Sequence, residues 1–493
     1  MSKTDKKAEK VVGVKDPFDP TRWGIPRRAT REIAQEFEVF FREFHNCFKT
    51  RTWNNYQYAY DYMSGIMSMD GKRNFKNIER TMRGPGWDGD CIQHFISDSP
   101  WSEQAVFEKI QRQISQDPDF SGGILTIDES GDRKSGDGSA GASRQYIGNV
   151  GKKDMGQVGV VPGYYRDGNW AMVDAELYLP EKWFDGKHAP KRKKLNIPGD
   201  RVFKTKPEIG LEMVLRAKKR GLPFTAVTCD AVYGADGNLR KRLDDEKIIY
   251  MADVRCNTRV YLRKPSFQVP ETPPGKQGRP YSIPRAVRNP RVRVDSIPGN
   301  SDVKFKTVRV RTTERGWLEN DFCAIRVWTG SNNENIREEW LLIRKHENNK
   351  VSYSLSNAPG NAKLKDLAFL RCRRYFAERI FQDSKSELGW DELEARKYTS
   401  WMHHTALTSL ALWFITSMKL KWSRLHPVDP DLAEELEVHV LPKLSVSNVR
   451  ELFKAGFKRR KINPGDAENL VTTHLFNRAR STRSRLRQLR KKE

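Results

Sequence analysis

The sequence predicts an α/β protein: a strand-rich centre interrupted by a β-rich segment and flanked by helical regions. Three observations predict it. Apolar residues keep a helical spacing from about residue 30 to 118. Near residue 123 the pattern changes to that of short strands separated by turn residues. Two of those strands, ILTID and PFTAVTCD, run straight into an aspartate and then a glycine-containing loop. Helical and strand periodicities differ enough for the switch to mark a change of architecture.

Taken in order, IAQEFEVFFREFHNCF (33–48) places apolar residues at 33, 37, 40, 41, 44 and 48, an amphipathic helix. Strands are expected at 124–128, 156–164 and 170–179. A helix follows at 206–220, then a strand at 223–230, a short helix at 238–246 and a strand at 248–254. Three sequential strands, then helix, strand, helix, strand, is a ribonuclease H-like order among α/β proteins. From 257 to 360 a Pro/Arg/Lys-rich linker (264–298) leads into alternating segments at 303–313, 322–330, 338–346 and 350–357, which read as strands. After 362 the chain is helical to about 421. TALTSLALWFITSM (405–418) is shorter than a membrane span and has histidines before it and lysines after it, so it reads as a buried core helix. The C-terminal part from 444 is helical and ends FNRARSTRSRLRQLRKK, read as a phosphate-binding arm over a solvated helix.

The expected organisation is a disordered basic tail (1–20), a helical domain (21–120) whose mixed basic and aromatic residues (Arg51, Trp53, Tyr56, Tyr58, Tyr60, Lys72, Arg73, Lys76) suit DNA binding, and the first part of a ribonuclease H-like core (121–256). A β-rich insertion (257–360), the last core helices (361–425) and a basic helical C-terminal region (426–493) complete it. The N-terminal segment MSKTDKKAEKVVGVKDP lacks the apolar stretch of a signal peptide.

Net charge is +26, from 89 Lys+Arg against 63 Asp+Glu. Such an excess favours a polyanionic partner through counterion release and long-range attraction. The six cysteines are scattered, with no C-x-x-C pair and no zinc spacing, which fits free thiols in a reducing compartment.

Asp128 and Asp230 end their strands in the same way. Either acid alone reads as a turn cap or as a ligand. Two carboxylates side by side repel unless a cation lies between them, and with only hard oxygens present the natural ion is Mg²⁺ or Mn²⁺. A third acid comes from the segment 364–389, where Arg371, Arg374, Glu378, Phe381 and Lys385 recur at helical spacing. That stripe is either a salt-bridge ladder or a ligand flanked by phosphate-binding cations. Asp132, Asp137, Asp236, Asp253, Glu387 and Asp391 are rivals nearby. Asp253 lies within a strand without a glycine loop after it, and Glu387 and Asp391 fall off the Arg–Lys face.

In ILTIDESGDRKSG, SRQYIGNVGKKDMGQVGV (143–160), TAVTCDAVYG and RRYFAERIFQDSKSELGWDELEAR (373–396), the chain resembles the DDE transposases of bacterial insertion sequences. The likeness is to the cut-and-paste group with a β-rich insertion before the last catalytic Glu. In that family an Arg stands four before the Glu and a Lys seven after it, and Arg374, Glu378 and Lys385 fit. The family's aromatic residue three before that Arg is here Arg371.

The resemblance implies catalysis by Asp128, Asp230 and Glu378, holding two Mg²⁺ or Mn²⁺ ions that drive DNA cleavage and strand transfer. It implies DNA contacts by Arg371, Arg374 and Lys385, with Lys134 in the sequel to the first-Asp strand and Lys152 and Lys153 in the segment 143–160. Trp317 and Trp328 are candidates for stacking on a flipped base, set against core tryptophans of a β-segment. The partners implied are element ends and target DNA, acted on by a homodimer without a membrane anchor in the bacterial cytoplasm at the nucleoid. The alternatives are a DNA-binding derivative that no longer cuts, and a ribonuclease H-like nuclease without strand transfer.

Overall fold

The computed structural model describes residues 16–148, 150–271, 275, 281–287, 289–299, 303–314, 316–348, 350–457 and 464–490. Residues 1–15 of the expected basic tail and part of the 264–298 linker lie outside these. Asp16–Pro20 are described, and Asp19 caps a short 3₁₀ turn, Pro20–Trp23.

Among the described residues five α-helices precede the strands: α1 (Ala29–Arg42), α2 (Tyr56–Ser68), α3 (Phe75–Arg83), α4 (Asp90–Ser97) and α5 (Glu103–Gln116). The strands then begin, with β1 (Gly123–Arg133), β2 (Ser143–Ile147), β3 (Lys152–Arg166), β4 (Asn169–Met172) and β5 (Glu176–Leu177). Helices α6 (Ala189–Lys194) and α7 (Lys206–Lys219) lead to β6 (Phe224–Cys229). Next come α8 (Ala231–Gly234), α9 (Gly237–Asp245) and β7 (Tyr250–Val254). Among the described residues four two- or three-residue strands follow, β8 (Arg259–Val260), β9 (Ser266–Gln268), β10 (Arg285–Val287) and β11 (Val292–Arg293). The meander β12 (Lys306–Thr313), β13 (Gly316–Thr329), β14 (Arg337–Lys345) and β15 (Val351–Ser356) precedes the last helices. These are α10 (Leu364–Arg373), α11 (Tyr375–Ser386), α12 (Tyr398–Leu425), α13 (Asp431–Glu435), α14 (Val446–Gly456) and α15 (Pro464–Arg490).

Among the described residues one sheet organises the molecule, in the order β12-β13-β14-β15-β7-β6-β1-β3-β2, with β4 and β5 also on β3. β1, β6 and β7 run parallel, whereas β3 is antiparallel to β1 and β4 to β3. The connection from β6 to its parallel neighbour β7 crosses over through α8 and α9, and α6 and α7 lie between β5 and β6. Helix α7 starts where Thr205 and Glu208 form a capping box, with a proline in the first turn. The meander does not stand apart: β15 pairs antiparallel with β7 and so extends the central sheet.

Three local expectations are corrected. The first strand does not stop at Asp128 but continues to Arg133, pairing with β3 through Arg133↔Gly156. Gly131, which suggested a loop, lies within β1, where a Cβ would come 3.2 Å from Ile147; on the paired β3 a Cβ on Gly156 would lie 2.4 Å from the Asp132 carbonyl oxygen, and one on Gly159 would lie 2.2 Å from the Trp401 ring. The strand expected at 170–179 is split into β4 and β5. Between them Asp174, wholly buried, turns inward to Arg216 at 2.7 Å. The long helix expected over 364–389 is two helices, because at Arg374 the hydrogen-bond ladder tightens to Ala377 N–H donating to the Arg374 carbonyl.

The 405–418 segment is the middle of α12, whose side chains are buried nearly all round, as expected of a helix that is apolar on every face. It packs on α5, α2, α4, α14 and β4, so one apolar core joins the N-terminal helices to the sheet. His403 and His404 within it are pushed down to about 4 by burial, which keeps them neutral. Among the described residues no helix is long and apolar enough to cross a membrane.

Candidate active site

The site grows out of strand register. Thr126 of β1 and Thr228 of β6 are directly paired, and their buried hydroxyls hydrogen-bond at 2.8 Å. Thr228 is in turn paired with Met251 of β7. Side chains two positions further along a strand return to the same face. Asp128, Asp230 and Asp253 each follow those three residues by two, so they form a row across β1, β6 and β7 on the face that α10 and α11 cover.

Each acid in the row is held differently. Asp128 lies within its strand, opposite Val161, and its Oδ1 accepts the Glu129 N–H at 2.8 Å. Burial first, and the negative Asp230 second, push its carboxyl up to about 7 against the pull of Arg374. Asp230 caps α8, its Oδ1 accepting from Val232 and Tyr233 N–H at 2.8 and 3.4 Å. Burial also raises its pKa, helped by Glu129. Asp253 is an ion-pair acceptor for Arg371 at 2.6 Å and Arg374 at 3.2 Å, and it accepts the Ser354 hydroxyl at 2.7 Å.

The helices set the opposite wall. Leu367, Ala368 and Cys372 of α10 pack on Met251, Val308, Phe322 and Leu342. Phe376 of α11 stacks on Tyr165 with centroids 3.6 Å apart. Ile380 fills the space over Gly163, where a Cβ would lie 2.4 Å from its Cδ1. This anchoring delivers the Arg374 guanidinium to Asp128 at 3.5 Å, to Asp253 at 3.2 Å and to Glu378 at 3.4 Å. Glu378 itself is exposed, 61% of its side chain open to solvent. Arg374 therefore bridges the buried acids and the exposed one. Among the described residues no three acidic, His or Cys side chains converge closely enough to hold a metal ion. The donor chemistry still fits a hard divalent cation at Asp128 and Asp230, two carboxylates that burial makes harder to ionise, Asp128 further by the charge of Asp230 and Asp230 further by that of Glu129.

The expected DNA-contacting residues are placed unevenly. Arg371 is buried against Asp253, so it secures the wall instead of facing solvent. Lys385 turns back to Asp132 at 2.9 Å and the Gly131 carbonyl at 3.3 Å, on the extended end of β1. Lys134 is half-buried, donates to the Leu393 carbonyl, and has its pKa lowered by burial. Lys152 and Lys153 are exposed on β3. Trp317 is 53% exposed at the β12–β13 turn, with Arg309 over its ring. Trp328 is half-buried and tied through its backbone to Tyr261.

Sequence pattern alone ranks Asp253 below Asp128 and Asp230, because no glycine loop follows it. The signal that finds it is its partner spacing: two arginines three apart at the end of α10 and the α10–α11 junction, facing a strand acid beside two other acids. Replacing Asp253 by Asn leaves the buried Arg371 without its counter-charge. The expected cost is roughly 3 kcal/mol of stability, read from chemical denaturation; a loss below about 1 kcal/mol would show that Arg371 does not depend on this pair.

Two carboxylates on adjacent parallel strands, Asp128 within β1 and Asp230 at the end of β6, faced by the Arg374 guanidinium, offer oxygen donors for a divalent cation and a cation for a phosphate. The comparison with known families makes the class specific. The model of the DDE superfamily endonucleases matches residues 43–316, more than half of the chain, and the chain belongs to that family. The match contains Asp128 and Asp230 and stops short of Glu378. The chain is also 31% identical over 214 residues to the probable transposase for insertion sequence element IS701 of Microchaete diplosiphon. That alignment covers 38% of this chain and 52% of the relative, so the chain spans about half the length of the curated relative it matches. Enzymes of this superfamily have a ribonuclease H-like core and use divalent metal ions.

Proposed function

We propose that this protein is a DNA transposase, cutting at the ends of a mobile element and joining them to target DNA by divalent-metal-dependent phosphoryl transfer. The observation that carries the reading is the row of Asp128, Asp230 and Asp253, with Arg374 pairing Asp128 and Asp253 of the row and Glu378 opposite, in a chain with a net charge of +26. The likeness to the IS701 transposase supports the same reading.

In this reading β1, β3, β4, β6 and β7, with α10 and α11, are the ribonuclease H-like core (121–256 and 361–425), and the segment 257–360 is the insertion. Asp128, Asp230 and Glu378 would hold Mg²⁺, two ions per site, whose chemistry there would be activation of water or a DNA 3′-hydroxyl and stabilisation of the leaving oxygen. Arg374 is the cation that meets the scissile phosphate, by bidentate hydrogen bonds. Glu378 joins the two aspartates when phosphate takes over its hold on Arg374. Lys134, Lys152, Lys153 and Lys385 line the DNA path. Trp317, the more exposed of the two candidate tryptophans, is the stacking partner for a displaced base. The helical region 21–120 and the C-terminal region 426–493 bind the element ends, and two copies act together because two ends must be held. The protein works at the nucleoid.

The test is an end-joining assay. Purified protein with the terminal DNA of its own element and Mg²⁺ is expected to yield nicked ends and then joined products. In the Glu378→Ala variant both products are expected to fall by at least about 1000-fold while end binding persists. Joined products at wild-type level from that variant would remove Glu378 from the site. Nicks without any joined product would favour a nuclease without strand transfer.

A further inference from the structure

The C-terminal helix α15 has an arrangement that none of the core explains. Every side chain of Pro464–Arg490 that the structure describes is exposed. Leu475, Ala479, Thr482 and Leu486 step by four, three and four residues, so they stack as one narrow stripe along the helix. Arg480, Arg483 and Arg487 each stand one residue after a member of that stripe and line one edge. Arg478 and Arg485 each stand one residue before a member and line the other edge. No acidic residue occurs between Glu468 and Glu493.

Two edges of like charge around a narrow stripe of small and apolar side chains constrain the occupant. A second copy of the helix laid on the stripe would bring five arginines against five others with no acid to answer them, and like charges at that range repel. Duplex DNA reverses the sign. Its major groove admits one α-helix between two phosphate walls, and the groove floor offers thymine methyl groups and base edges to Leu, Ala and Thr. Phosphates on both sides then match arginines on both edges, each a fork that pairs with phosphate oxygens.

We propose that α15 docks in the DNA major groove, with Arg480, Arg483 and Arg487 on one strand's phosphates and Arg478 and Arg485 on the other's. This rests on the reading that the chain acts on DNA, and it makes the helix a docking arm separate from the carboxylate site.

The experiment compares the full-length protein with two variants, R480Q/R483Q/R487Q and R478Q/R485Q, binding a short random-sequence duplex over a series of salt concentrations. The slope of log affinity against log salt is expected to shrink by about 2.7 for the triple variant and about 1.8 for the double, near 0.9 for each phosphate no longer neutralised. Affinity at low salt is expected to fall at least about tenfold. An unchanged slope in both variants overturns the proposal. So does an unchanged slope together with conversion of a wild-type dimer to monomer in sedimentation, which assigns the stripe to self-association. Mn²⁺-dependent nicking of supercoiled plasmid is measured on the same preparations. Nicking with unchanged slopes overturns the arm alone, whereas shrunken slopes without nicking support the arm and remove the catalytic reading.

Discussion

Asp128→Asn and Asp230→Asn are each expected to reduce metal-dependent DNA nicking by at least about 1000-fold, leaving DNA binding within a few-fold of wild type. Asn keeps the size and the Asx-type cap at Asp230, so the backbone around Val232 and Tyr233 has no reason to move. What disappears is one anionic oxygen ligand from an adjacent pair. The same substitution has a stability signature that a damaged fold would not give. The carboxyl of Asp128 is raised to about 7 by burial and by Asp230, above its ordinary 3.8. Between those two values the folded chain holds the proton more tightly than the unfolded chain, so stability falls as pH rises through that window. Below it Asn and protonated Asp are equivalent. Above pH 7 Asp128→Asn relieves a buried charge and is expected to stabilise by roughly 2 kcal/mol, allowing for Arg374 and for solvent at the carboxylate. The check is a pair of thermal melts at pH 5 and pH 8. A variant that loses stability at both would show that Asp128 is a structural acid. The linkage also predicts weaker Mg²⁺ binding below pH 7 in the wild type, because the ion must displace a proton there.

How much of this was legible in the sequence follows from what periodicity carries. The succession β1, β3, β6, β7 and the helices α7 and α9 were legible, because apolar runs and turn residues are local signals, whereas β2 was not expected and 170–179 holds two strands. So were Asp128, Asp230 and the Arg374–Glu378 pair, each on a motif of a few residues. Register was not legible. That Thr126, Thr228 and Met251 lie abreast, and therefore that Asp253 stands in line with the other two acids, depends on hydrogen bonds between segments about 100 and 20 residues apart. The continuation of β1 past Asp128 was hidden for another reason. Ser130, Gly131 and Asp132 have turn composition, yet here the glycines of β1 and β3 let Trp401 and Ile147 pack closely on the sheet. The direction of Lys385 was also out of reach. Helical spacing put it on the face of Arg374 and Glu378, but Asp132 exists as a partner only because the strand runs on.

Glu339→Gln is expected to destabilise the protein by about 3–5 kcal/mol, the largest stability loss of any single conservative change near the site. Glu339 lies on β14 and is wholly buried. Its carboxylate receives Arg240 of α9 at 3.2 Å, the Tyr250 hydroxyl of β7 at 2.5 Å and the Thr329 hydroxyl of β13. One carboxylate thus gathers a crossover helix, the edge of the parallel core and two strands of the meander. Burial alone would raise its pKa, but Arg240, Thr329 and Tyr250 outweigh burial and hold it below the ordinary 4.5. A depressed carboxylate contributes stability that is present above pH 4.5 and lost as pH falls through the lowered value, so the penalty in the variant is expected to shrink in acid. Gln cannot neutralise the Arg240 guanidinium, which is itself buried. The double change Arg240→Leu with Glu339→Leu removes both charges together and is expected to recover most of the loss, since a buried ion pair gains little over well-packed apolar side chains. Denaturant midpoints for the single and double variants, at pH 7 and pH 4, decide it. A double variant as unstable as the single one would mean that the Tyr250 and Thr329 hydroxyls, not the ion pair, are what the meander needs. In either outcome β7 is the strand affected, and β7 carries Asp253, so the anchorage of the meander and the position of Arg374 are coupled through one strand.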